Sequence, residues 1–314
     1  MVTRGASHST VVDGSLQARE LPFGSNSVQH GTAVFEGIRM YATPTGPALF
    51  RLDEHLQRLL DSAALLGIPH AYDLASLRGH VRDAAAASGL DNAYVRPVLH
   101  TREPRLGVNL RDFHFTLGTE IWALPPDDTA PPAVRVTVSP WCRPSRLTFP
   151  VRAKATGTYV VSALARTRAS ADGFDDAIQL DPNSGRVAEA TIANVFLVRE
   201  GRLVTPWLED SVLAGITRDT VLTLARDLGI ETAEVPVEPG ELPAADEMFL
   251  TGTASGLVPV AAVESHTYAA ARPVTDALSR AYREAVLGGD PSRSSWLTPV
   301  PHPDSSTSYL RGVS

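Results

Sequence analysis

The chain has 314 residues, 43% hydrophobic and 20% charged, the composition of an ordinary globular protein with room for two domains. A net charge of −7 argues against nucleic acid or an anionic membrane as partner, because either would call for a basic patch. The single cysteine, Cys142, excludes an intramolecular disulfide and a multi-cysteine metal site.

No apolar run approaches the roughly 18 residues that a membrane span needs. The start, MVTRGASHST, lacks the apolar stretch of a secretory signal, so a cytosolic protein is expected. A short strand or turn is read at VVDGSLQ. From Ala33 the pattern is strand-like: AVFEGIRMYA, a turn at TPTG (43–46), then PALFRL, together a hairpin. Leu52, Leu56, Leu59, Ala63 and Leu66 recur at helical spacing and predict an amphipathic helix ending near Gly67. A second helix is predicted over 74–88, and strands over 93–100 and 113–124.

PPDDTAPP (125–132), with its prolines and acids, reads as a linker. It separates a small N-terminal domain (1–124) from a large C-terminal one (134–297), with the linker taken as 125–133. In the second half, VRVTVS predicts a strand and a helix is expected to begin just after Lys154. AIQLD and RVAEA flank the turn PNSG as a hairpin, and NVFLV with RLVTP forms another. Thr217 is expected to cap a helix that stops at Gly229. Beyond about residue 288 the Gly, Pro and Ser content predicts chain that does not pack, with a disordered tail over 298–314. Hairpins mixed with helices indicate two α+β domains rather than a doubly wound sheet.

Of 28 basic residues, one alone is a lysine, Lys154. A GC-rich coding bias explains why lysine is scarce but not why this one survives. Arginine replaces lysine easily on a surface. It cannot do so where an amine must lose its proton and attack a carbonyl. A helix start beside RAKATGTY would favour the neutral amine through the macrodipole, whereas the plain alternative is a solvated surface lysine.

Three other features carry weaker signals. In LAGITRDT, the N–H groups of Ile216 and Thr217 at a helix start suit a phosphate. FLTGTASG (249–256), small and hydroxylated after an apolar strand, suits an anion as well. Arg58 follows Glu54 by one helical turn, so an ion pair between them is the simplest reading. The nine histidines are scattered without ligand spacing, and no metal site is expected.

VFEGIRMY, FRLDEHLQRLLDSAALLGI, YVRP, KATGTY, GRVAEATIANVFLV, LAGITRDTV and ADEMFLTGTASGLVPV occur in one order. Together they resemble the branched-chain aminotransferase group of the class IV, or fold-type IV, pyridoxal-phosphate enzymes, from about residue 10 to about 297. The resemblance implies the two-domain α+β fold of D-amino acid aminotransferase-like proteins, with the cofactor at the domain interface. It also implies a homodimer and amino-acid and 2-oxo-acid substrates such as 2-oxoglutarate.

It carries roles over to individual residues. Lys154 would hold pyridoxal 5'-phosphate covalently and move the substrate proton. Glu189 would face the pyridine nitrogen and Tyr159 the ring hydroxyl, with Leu213 against the ring face. Arg58, the N–H groups of Ile216 and Thr217, and Thr253 would bind the phosphate. With this, the phosphate reading of Arg58 displaces the ion pair with Glu54. Tyr94 and the turn Thr253–Ala254 would take the amino-acid carboxylate, and Arg96 the distal carboxylate of glutamate. Phe35 and His30 would line the substrate pocket.

The sequence departs from the family pattern at four places. His30 stands before Gly31 where tyrosine is usual, Thr158 follows Gly157 where asparagine is usual, Ala193 replaces an acid, and the opening motif is reduced to Val11-Val12-Asp13-Gly14. These departures leave the donor's side chain open. Aminodeoxychorismate-type lyases and D-amino-acid or (R)-amine transaminases share the fold. YVRP and FEGIR favour a transaminase over the lyase, and the Tyr94–Arg96 pair argues against the D-specific enzymes. A scaffold that had lost its chemistry would not be expected to keep Lys154 and Glu189.

Overall fold

The computed structural model of the chain describes residues 8–12, 15–16, 21–126 and 131–301. It divides into two compact units, one formed by Met1–Asp128, Ala153–Gly157 and Glu284–Ser314, the other by Thr129–Arg152 and Thr158–Arg283. The change of unit after residue 128 falls within the expected linker, of which 127–130 lie outside the described residues, as do Asp13 and Gly14 of the opening motif.

In the first unit the strands are β1 (His8–Val12), β2 (Ser15–Leu16), β3 (Val34–Phe35), β4 (Ile38–Thr43), β5 (Gly46–Phe50), β6 (Ala93–His100) and β7 (Thr116–Ala123). With the late strand Leu297–Pro299 they form one antiparallel sheet, in the order Leu297–Pro299, β5, β4, β6, β7, β1, β2, and β3 pairs with β6. The β4–β5 hairpin closes where expected, Thr43 opposite Gly46, with the Thr43 hydroxyl donating to the Gly46 carbonyl. Along β6 the burial alternates, with Ala93, Val95, Pro97 and Leu99 inward and Tyr94 and Arg96 on the other face.

Three helices belong to this unit: α1 (Asn26–His30), α2 (Leu52–Leu66) and α3 (Leu74–Ser88). Helix α3 starts at an Asp73–Ser76 capping box, and α2 ends at Gly67 in the left-handed region, φ 65°. The buried stripe of α2 contains Leu52, Leu56, Leu59 and Ala63, but also two polar side chains, His55 and Ser62.

The second unit holds β8 (Val134–Val138), β9 (Asp176–Leu180), β10 (Val187–Ala190), β11 (Asn194–Arg199), β12 (Arg202–Pro206), β13 (Thr232–Val235), β14 (Glu247–Gly252), β15 (Gly256–Val263) and β16 (His266–Thr267). The order is β10, β9, β8, β15, β14, β11, β12, β13, with β16 on β15. Three joins are parallel, β8 with β9, β8 with β15 and β12 with β13. Val136, Ile178, Val195, Leu197, Met248, Leu250 and Val260 form its core. Helices α4 (Tyr159–Ala171) and α5 (Ile216–Asp227) lie in this unit, and the unit boundary cuts α6 (Pro273–Val286). Helices and largely antiparallel sheets in each unit give the expected α+β architecture. Among the described residues, no helix is long and apolar enough to cross a membrane.

Three local expectations are corrected. The chain beyond residue 288 packs: Pro291–Trp296 is a 3-10 turn and Leu297–Pro299 pairs antiparallel with β5. Trp296 meets Phe50 edge-on at 5.9 Å, and Thr298 and Val300 are buried, so the expectation of a tail from 298 fails through residue 300, while 302–314 lie outside the described residues. Strand pairing uses backbone groups, which even a polar segment carries. Thr217 is not a cap, because α5 begins at Ile216 behind Gly215, and Thr217 lies inside the helix, buried. Lys154 does not sit at the start of an α-helix either. A 3-10 turn, Thr156–Thr158, intervenes before α4 begins at Tyr159.

Candidate active site

In the first unit, backbone contacts fix both sides of Lys154. Its N–H donates to Ser62 Oγ at 3.0 Å, and its carbonyl accepts from the Phe35 N–H at 3.0 Å. The next residue, Ala155, bridges to Val34 of β3. A strand-like contact, rather than a helix end, therefore places the amine. Lys154 is half-buried, with Nζ 4.9 Å from the centre of the Phe35 ring.

Arg96 meets the same ring, its Cζ 5.0 Å from the centre. Arg96 also lies over Tyr94 and Trp122 and donates from Nη2 to the Tyr94 hydroxyl at 3.2 Å. Tyr94 and Arg96 are alternate residues of β6 and share its face. Across the sheet Gly37 makes room, since a Cβ there would collide with the Tyr94 hydroxyl. Phe35, Tyr94, Arg96 and Lys154 thus come together.

Arg58 has a partner that neither reading of the sequence named. Glu54 pairs with Arg51 at 2.8 Å, and Arg58 pairs with Glu36, Nε to Oε1 at 2.6 Å and Nη2 to Oε2 at 2.8 Å. His55 Nδ1 meets the same carboxylate at 2.7 Å. Burial alone would push the Glu36 carboxyl up, but the Arg58 charge and the hydrogen bonds from His55 and Arg58 outweigh it and hold it far below the carboxylate range. Burial lowers His55 despite Glu36, so its imidazole is neutral and donates Nδ1–H.

His30 ends α1 and is exposed. Asn26 Nδ2 reaches both His30 Nδ1, at 3.2 Å, and the Gly107 carbonyl, at 2.6 Å. Gly31 follows in the left-handed region, φ 67°, and its carbonyl accepts from Thr156 Oγ1 at 2.7 Å and the Gly157 N–H at 3.1 Å. The turn after His30 is thereby tied to the Lys154 segment.

In the second unit Glu189 of β10 is the centre. Its Oε1 lies 2.9 Å from Arg143 Nε, and its Oε2 accepts from Asn194 Nδ2 at 3.0 Å and the Leu213 N–H at 3.1 Å. Asn194 Nδ2 also donates to the Leu213 carbonyl at 3.0 Å, which fixes that loop on both sides. Asp210, buried, anchors the loop's start by accepting from Arg186 Nε and Nη2, Trp207 Nε1 and Ser184 Oγ. Gly215 then enters α5 without any side-chain cap, and a Cβ on it would collide with Asn194 Oδ1. The first turn of α5, with Ile216 half-buried and Thr217 buried, presents uncapped N–H groups of the kind that suit an anion.

Thr253 and Ala254 lie in the turn between β14 and β15, half-buried and exposed respectively. Tyr159 is the first residue of α4 and half-buried. Glu36, His55, Arg143, Asn194 and Asp210 were not singled out from the sequence. For His55 a signal existed: it is a polar residue in phase with the apolar stripe of α2. Arg143 and Asp210 have partners 46 and 24 residues away, and no local pattern announces them.

The family model described as Amino-transferase class IV matches residues 33–263. The chain is 37% identical over 287 residues to the probable branched-chain-amino-acid aminotransferase of Synechocystis sp., covering 88% of this chain and 91% of that one. Among solved structures it resembles the branched-chain aminotransferase of Thermoproteus uzoniensis with norvaline, at 36% identity and TM-score 0.87, over 95% of this chain and 100% of that one. It also resembles the branched-chain amino acid aminotransferase of Thermobaculum terrenum in its PLP form, at 31% identity and TM-score 0.87, over 93% and 98% of the two chains.

Proposed function

The chain belongs to the class IV aminotransferases, and from that premise we propose that it is a pyridoxal-phosphate enzyme moving the amino group of a branched-chain or related L-amino acid to a 2-oxo acid such as 2-oxoglutarate. The observation that carries this reading is the placement of the one lysine, Lys154, on the Phe35 ring beside Tyr94 and Arg96.

The residues present fit the cofactor. In the second unit, a buried carboxylate held by three donors suits a pyridinium, and the uncapped start of α5 suits a phosphate. Bound pyridoxal phosphate supplies a ring that accepts electrons when the substrate Cα loses its proton. Lys154 would carry it and would serve as the general acid–base that takes up and returns the substrate proton. Glu189 would keep a proton on the ring nitrogen, Tyr159 would bond the ring hydroxyl, and Leu213 would pack on the ring. The N–H groups of Ile216 and Thr217, with Thr253 and Arg58, would take the phosphate.

Tyr94 and the Thr253–Ala254 turn take the α-carboxylate, while Arg96 takes the distal carboxylate of a dicarboxylic partner. Phe35 and His30 shape the side-chain pocket. A cytosolic location belongs to the same reading, in keeping with a single cysteine that calls for no oxidising compartment. A homodimer is supported by an apolar patch: Phe23, Leu106 and Val108 are 84%, 94% and 74% exposed, and Asn26 ties their two segments through Gly107. A panel of L-amino acids with 2-oxoglutarate, scored for each 2-oxo acid formed, tests the activity. A cofactor-loaded protein that moves no amino group from any of them overturns the reading.

A further inference from the structure

We propose that Arg143 is a positioning residue for the chemistry: acting through Glu189, it decides on which atom the proton shared between that carboxylate and the cofactor's ring nitrogen resides. The inference rests on the reading of Glu189 given above.

Arg143 belongs to none of the motifs that carry the family resemblance, yet it is built into the centre of the second unit. Its Nε lies 2.9 Å from Glu189 Oε1, and the two side chains are 7% and 8% exposed. The position is imposed by backbone. The Arg143 N–H donates to the Leu180 carbonyl at 2.9 Å and the Ser139 N–H to the Ile178 carbonyl at 2.8 Å, so the 139–143 turn rides on β9. Strand β9 in turn pairs with β10, with Gln179 opposite Glu189. Arg143 Nε is also 3.4 Å from the Ser211 carbonyl, and Ser211 is a buried non-glycine residue at φ 56°.

A buried carboxylate and a pyridine nitrogen that share one proton compete for it as bases. Burial strengthens the carboxylate as a base, because its charge is poorly solvated. A guanidinium, which stays protonated, at hydrogen-bond distance weakens it again. The proton then rests on the nitrogen, where a positive ring can accept electrons. Asn194 and the Leu213 N–H orient the carboxylate but carry no charge, so they cannot replace this effect.

The test uses holoenzyme loaded with cofactor isotopically labelled at the ring nitrogen, read by nuclear magnetic resonance together with steady-state kinetics. Arg143→Gln should move the nitrogen resonance toward its deprotonated position and lower kcat about tenfold or more, with KM for the amino donor within about threefold. Arg143→Lys, which keeps the charge, should restore most of both. Added to Glu189→Gln, Arg143→Gln should change kcat by less than about twofold, because its route of action is already gone. An unmoved resonance in Arg143→Gln overturns the proposal. Should that variant fail to fold around an unpaired Glu189, two others decide. A lysine variant as impaired as Glu189→Gln overturns it, and so does a double variant clearly worse than Glu189→Gln. If Glu189→Gln itself leaves the resonance unmoved, the role given to Glu189 falls first. A shift in Glu189→Gln without one in Arg143→Gln removes only the present proposal.

Discussion

Glu36 and Arg58 face each other through two parallel hydrogen bonds, 2.6 and 2.8 Å long, with the carboxylate fully buried and the guanidinium nearly so. The pair joins β3's end to α2, and the carboxylate also receives His55. A fork-to-fork pair of this kind fixes the plane of the guanidinium as well as its place. Removing one partner leaves the other's charge stranded, which is why such pairs are costly to break.

Glu36→Gln should therefore lower stability by about 3 kcal/mol, measured by urea unfolding at neutral pH. Because the folded carboxyl is held well below its ordinary value of 4.5, its stabilisation is complete above about pH 5 and drains away as the pH falls below 4.5. The variant should show a shallower acid limb than the wild type. Parallel acid limbs would show that Glu36 is not the carboxylate responsible.

His55 gives a second limb at higher pH. Its folded value is lowered by burial, so between that value and 6.5 the unfolded chain binds a proton that the folded chain refuses. Stability should thus fall as pH drops below 6.5 and level off once the pH passes the folded value. In His55→Gln the urea midpoints at pH 7.5 and 5.5 should draw closer together; an unchanged gap would place the limb elsewhere.

Local signals were read well where local physics decides. Helix α3 runs over the expected 74–88 because Asp73 and Ser76 cap it and Gly89 ends it at φ 65°. Strand β6 occupies the expected 93–100, set by alternation alone. Pro291–Val300 packs against the expectation from its composition because an edge strand, β5, recruits backbone that composition marks as loose. The site divides along the same line. The resemblance names Lys154 and Glu189 as candidates, but the groups bonded to them, Ser62 and Arg143, lie across chain separations that no motif spans.

Gly37→Ala tests the substrate end of the site. The new Cβ would take the place of the Tyr94 hydroxyl, so the ring must turn away and its bond from Arg96 must break. KM for the amino donor should rise about tenfold, the size of one lost charge-assisted hydrogen bond, while the chain still folds. An unchanged KM would detach Tyr94 from substrate binding.

Truncation after Leu297 removes Thr298 and Pro299 from the edge of the first sheet, and with them Val300, whose N–H donates to the Pro47 carbonyl and whose side chain is buried. Relative to a chain ending at Pro301, the shorter one should lose about 2 kcal/mol, the worth of one buried valine and its neighbours. Equal melting temperatures would show that the pairing contributes nothing.

Lys154 should be the residue that carries pyridoxal phosphate. It is the one side-chain amine in the sequence, and its peptide is clamped between Ser62 on α2 and Phe35 on β3. That clamp sets the amine over an aromatic ring instead of in bulk water, 4.9 Å from the ring centre. Borohydride treatment of the loaded protein, which fixes the cofactor to its amine, should tag the peptide containing Lys154 and no other. Lys154→Ala should lose the visible band of the lysine-linked cofactor and all amino transfer, while N–H groups at the start of α5 still retain some cofactor noncovalently. Lys154→Arg should be as inactive, because guanidinium stays protonated and cannot serve as nucleophile or base near neutral pH. The two variants separate charge from chemistry: arginine preserves a cation on the Phe35 ring, so a stability loss seen with alanine but not arginine belongs to that contact. Amino transfer at the wild-type rate in either variant would remove Lys154, and with it the proposed function.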